Sequence, residues 1–184
     1  MKKEIDYFNE AIPMTTYVAA MTQEDLKTGS EKIYAQFTVP QDGFTETLAD
    51  LRVLAITEDW CGDAMLNNPI VQRVAEAAGI DMRAVYRDAD TDLIDRYLTN
   101  GGRAIPIYLF LNDAGDVVAK WGPRAPELQQ MVVDARAKLP ASDDPTFNDA
   151  QATMYGQLRQ QYVEDPQCWS YVYEDLKRTV QAAR

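Results

Sequence analysis

The chain has 184 residues, 46% of them apolar, with 18 basic against 29 acidic side chains and a net charge of −11. That length and apolar share suit one compact domain with its own core, not a disordered chain. The charge argues against nucleic acid or an anionic membrane surface as partner, because both are polyanions, and the absence of histidine excludes Ser-His and Cys-His couples and histidine metal ligands within the chain.

The N-terminal stretch MKKEIDYFNEAIPMTTY opens on a basic pair without an apolar leader segment, and no run reaches the ~18–20 apolar residues that span a bilayer. The expectation is a cytoplasmic protein with reduced thiols and no membrane contact. Residues 1–50 read as a helical extension. Tyr17, Val18 and Met21, then Ile33, Tyr34 and Phe37, fall at helical spacing, with Thr28-Gly29-Ser30 predicted to separate them. Residues 51–140 alternate strand and helix. Arg52–Thr57 and Met82–Arg87 are short apolar strands, and Leu66, Ile70, Val71, Val74, Ala75 and Ala78 stripe the helix between them, which Gly79 stops. Asp90 or Thr91 caps a predicted helix carrying Leu93, Ile94, Tyr97 and Leu98, with Gly101 as its stop. Ile107–Leu111 and Asp116–Trp121 flank Asn112-Asp113-Ala114-Gly115, a hairpin signal. Leu128, Met131, Val132, Ala135 and Leu139 mark a helix ending before Pro140. Residues 141–184 add two helices, the second opened by Asp165-Pro166. The order β-α-β-α-β-β-α predicts an α/β fold: a mixed sheet of about four strands, its first two parallel, flanked by helices, with further helices at both ends.

Cys61 follows a strand and opens a helix, where unpaired amides and the helix dipole stabilise a thiolate. Glu58, Asp59 and Asp63 lie within three residues and oppose a further negative charge. Trp60-Cys61-Gly62-Asp63-Ala64 resembles the Trp-Cys-Gly-Pro-Cys loop of thioredoxins. Pro69 falls where thioredoxins kink this helix, Ala104-Ile105-Pro106-Ile107 resembles their cis-proline loop, and Gly122 resembles the glycine after the last strand. The resemblance covers roughly residues 50–140. The whole chain, with TEDWCGDA, YLTNGGRAIP and WGPR, is similar to bacterial thioredoxin-like proteins with helical additions.

The resemblance implies that Cys61 is the reacting thiol, that Ile105 and Pro106 present backbone to an extended substrate, and that Trp60, Gly62, Asp63 and Arg103 border it. Arg103 would offset the acids beside Cys61. No cofactor or metal is implied. Two departures matter: Ala64 replaces the second cysteine, and Ala55 stands where many thioredoxins bury an acid. A dithiol cycle at this loop is therefore impossible. Cys61 can form a mixed disulfide, but its release needs another thiol, from a protein, a low-molecular-weight thiol or Cys168. Two readings stay open: monothiol disulfide exchange through Cys61, and a redox-inactive module that binds protein partners through the proline loop and added helices. Peroxidatic chemistry fits poorly, since Glu58 stands where peroxiredoxins carry threonine.

Overall fold

In the computed structural model, which describes residues 2–184, five strands form one mixed sheet. Its spatial order is β1 (Ile12–Pro13), β3 (Met82–Tyr86), β2 (Arg52–Thr57), β4 (Ile107–Leu111) and β5 (Val117–Trp121). β2 and β3 run parallel, joined by the crossover helix α4 (Gly62–Ala78), while β4 pairs antiparallel with β2 and β5 antiparallel with β4. The central strands are buried on both faces, which explains why Arg52–Thr57 and Ile107–Leu111 read as continuous apolar runs. Alternate residues supply two separate cores. Val53, Ala55, Tyr108 and Phe110 face one; Leu54, Ile56, Ile107 and Leu109 face the other.

The first core is covered by α2 (Met14–Ala20), α3 (Glu24–Gln36), α4 and α8 (Pro166–Ala182). Thus both helical extensions join the main core: Met14, Tyr17 and Ile33 from one end, Trp169, Val172 and Leu176 from the other. The second core is closed by α1 (Glu4–Glu10) and α5 (Thr91–Ile94). α6 (Pro126–Arg136) and α7 (Phe147–Glu164) pack together through Val132, Met154 and Leu158. Asp165 caps α8 by accepting from the Gln167 amide at 2.9 Å, with Pro166 in the first turn. Gly79, at φ 69°, ends α4, and the following Ile80 amide donates back to Ala75 O.

Five sequence expectations are corrected. Thr28-Gly29-Ser30 does not break a helix but lies inside α3, where Gly29 is the point of closest approach: a Cβ there would sit 2.6 Å from Met65 Sδ. The helix from Thr91 spans four residues, and Tyr97 and Leu98 lie beyond it. Its intended stop instead forms a tight hairpin, with Asn100 at φ 50° and Gly101 at φ 76° between the mutually bonded Thr99 and Gly102. The helix from Pro126 ends at Arg136, before Leu139. The sheet has a fifth strand, because Ile12 and Pro13 pair with Ala84 and Arg83 along the β3 edge.

Candidate functional site

The end of β2 turns through Glu58–Trp60 and delivers Cys61 to the N-cap of α4. Its carbonyl accepts from the Met65 amide at 3.0 Å, closing the first helical turn. The thiol donates to Ile105 O at 3.6 Å. The Ile105–Pro106 peptide is cis, and Ile105 is itself buried. The cysteine is half-buried and packs beside the second core. That burial pushes the thiol up to about 11, and Asp63 adds to the rise. The amides of Ala64 and Asp63 and the Arg124 charge pull the other way and lose. The helix start therefore does not leave a free thiolate here, because desolvation outweighs the ~0.3–1 kcal/mol of the exposed dipole effect.

Each acid near Cys61 has a partner. Glu58 is buried and accepts from the Asp88 amide at 2.8 Å. Asp59 accepts from Thr22 N and Oγ1 at 2.7 and 2.8 Å, which ties the loop to the N-terminal extension. Asp63 takes a two-pronged ion pair from Arg124, at 2.7 and 2.9 Å, and a 3.3 Å bond from the Tyr162 hydroxyl of α7. Its carboxylate is thus turned inward, not presented on the rim. Arg103 does not offset these acids as expected. It is engaged by Asp95 at 2.6 and 2.8 Å, and the cation that acts on Cys61 is Arg124.

Trp60 is 49% exposed, with the Arg87 guanidinium 5.0 Å from its ring centroid. Arg87 also donates to Arg103 O at 3.0 Å, joining the cysteine loop to the segment before the proline. Gly122, at φ 110°, faces the other side of that segment, where a Cβ would lie 2.3 Å from Pro106 O. Asn67 of α4 donates to Pro123 O at 2.8 Å.

A buried polar chain underlies the loop. Tyr108 donates to Asn68 Oδ1 at 2.6 Å, Asn68 Nδ2 donates to Thr57 Oγ1 at 3.1 Å, and Thr57 shares a 3.4 Å bond with Tyr17 of the N-terminal extension. Tyr108 is the cross-strand neighbour of Ala55. A neutral phenol–amide pair thus occupies the neighbourhood in which thioredoxins bury an acid. Cys168 is buried within the first core, whereas Cys61 is half-buried and packs against the second.

The thioredoxin family model matches residues 11–139. This chain belongs to the thioredoxin family. No curated protein matches it. Two solved structures resemble it over the full length of both chains at 18% identity: a protein of unknown function from Pseudomonas aeruginosa, with a TM-score of 0.63, and an HIV epitope scaffold, with a TM-score of 0.60. At that identity they attest the fold alone, and with it the mixed sheet flanked by extra helices in this thioredoxin relative. No helix among the described residues is long and apolar enough to cross a membrane. The described residues also hold no cluster of three or more cysteine or acidic side chains able to grip a metal ion.

Sequence reasoning singled out the loop residues and missed their supports. Arg124 stands in the WGPR segment, whose resemblance was a usable signal. Tyr17, Asn68, Tyr108 and Tyr162 gave none, because each sits at an ordinary core position of its helix or strand.

Proposed function

We propose that this thioredoxin-family protein is a monothiol exchange protein in which Cys61 attacks disulfides presented along the Ile105–Pro106 segment. The observation that carries the reading is the 3.6 Å contact between Cys61 Sγ and Ile105 O, which sets the sulfur against the backbone that an extended partner would lie beside. In the exchange the Cys61 thiolate attacks one sulfur of a disulfide, a new S–S bond forms, the old one breaks, and the departing sulfur leaves as a thiolate. With alanine at position 64 the mixed disulfide persists until an external thiol attacks it. Trp60 and Gly62 would border the incoming group, while Asp63 acts from inside by holding Arg124.

The thiol held up to about 11 favours a second reading, a partner-binding module without thiol turnover. Intact mass after treatment with oxidised small thiols separates the two. Exchange predicts a single adduct, mapped to Cys61, whose rate climbs with pH through 8 to 10 without levelling off, because the thiolate fraction is still rising below the thiol's pKa. No adduct across that range, with partner capture retained by Cys61→Ser, establishes the binding module in place of exchange.

A further inference from the structure

Of the eleven arginines in the chain, ten hold an ion pair or hydrogen bond. The exception among the described residues is Arg159 of α7, which is exposed and lies beside the cysteine loop. Its stem runs across Gly62: a Cβ on Gly62 would lie 3.2 Å from Arg159 Cγ and 3.4 Å from its Cδ. Arg159 borders a cleft of about 290 Å³ whose other walls include Trp60 and the first turn of α3, one of about 80 Å³ shared with Gly62, Asp63 and Tyr162, and one of about 460 Å³ shared with Lys32, Met65 and Glu164. Glu24 and Asp25 line the cleft shared with Trp60, yet neither reaches Arg159 as an ion pair. In a chain of net charge −11, a cation left unpaired against Gly62, the residue after the half-buried cysteine, is a local exception to the surrounding field.

We infer that Arg159 receives a carboxylate of the disulfide that Cys61 attacks, so that the preferred substrate is a low-molecular-weight, carboxylate-bearing disulfide. This rests on the exchange reading above. A small molecule fits better than an acidic protein, because the clefts that join Arg159 to Trp60 and Gly62 are small and the wider acidic surface repels a partner carrying many negative charges. The exchange is balanced: Cys61 is oxidised to the mixed disulfide as the other half of the reagent is reduced to a thiol.

The test compares dithiodipropionate, which carries two carboxylates, with neutral hydroxyethyl disulfide, following adduct formation on Cys61 by intact mass and peptide mapping. The ratio of the two rates cancels any general change in thiol reactivity. Arg159→Gln is expected to lower that ratio by about 1.5-fold to fivefold, the range of an exposed charge pair. Arg159→Lys keeps most of the preference, and half-molar salt shrinks the wild-type ratio. Adducts that form with a ratio unchanged in Arg159→Gln overturn the carboxylate receptor and leave exchange standing. The absence of any Cys61 adduct with either reagent overturns both.

Discussion

At the scale of single residues, Cys61 is set by a contest between enclosure and charge. Burial and the Asp63 carboxylate keep its proton on, while Arg124 and two helix-start amides favour its loss. Asp63 is the side chain through which this balance can be shifted without disturbing the sulfur's packing. Asp63→Asn removes the nearby negative charge and frees Arg124 from its partner, and both changes favour the thiolate. The expected outcome is a Cys61 alkylation rate at pH 8 raised about threefold to tenfold, from ~1 kcal/mol of altered charge interaction. The same substitution breaks a largely enclosed ion pair and costs about 1.5–3 kcal/mol in a denaturant titration. A rate unchanged in this variant means that burial alone governs the thiol.

At the scale of elements, the close approach of β5's end to the proline segment is the tightest fit in the site. Gly122 combines a left-handed φ with backbone 2.3 Å from where a Cβ would be placed, so no side-chain motion relieves the clash. Gly122→Ala is expected to cost about 3 kcal/mol or more and lower the melting temperature by roughly 6–12 °C. It should also slow Cys61 adduct formation, because the segment that moves carries Ile105. Gly29 in α3 meets a movable methionine instead, so the same substitution there is milder. These two glycines also mark how far the sequence could be read. Gly79 and Gly122 sat at element ends where their role was plain. Gly29 looked like a break because glycine lowers helix propensity, and only the neighbouring α4 explains its presence. The four-residue α5 was overread because Tyr97 and Leu98 kept a helical rhythm, although Tyr97 is drawn to Glu4 of α1 by a 2.9 Å hydrogen bond. β1 was invisible, since two residues carry no periodicity. In the site, the loop could be read because its residues are adjacent in sequence. Its supports come from α2, α7 and the turn after β5, which only folding brings together.

At the scale of the whole molecule, the proton affinities of enclosed groups lean one way. Cys61 and Cys168 are both held up from 9.0 to about 11, and burial lifts Tyr17, Tyr108 and Tyr162 as well. Between pH 9 and 11 the unfolded chain gives up thiol protons that the folded chain keeps. The folded state binds more protons there, so its stability is full below pH 9 and falls as pH rises toward 11. Denaturant titrations at pH 7.5 and 10.5 are expected to show the loss, and Cys61→Ser should make it smaller by removing one of the two thiols. A stability that holds level across this interval contradicts the burial of both sulfurs.

The sheet's outer margin has a consequence of its own. β1 contributes two residues along β3, and the second, Pro13, has no N–H to offer a neighbour. A foreign strand approaching from that flank meets a terminus too brief and too poor in donors to be extended. That flank of the sheet is thereby poorly suited to stacking copy upon copy, and the longer free margin lies on the other side, along β5.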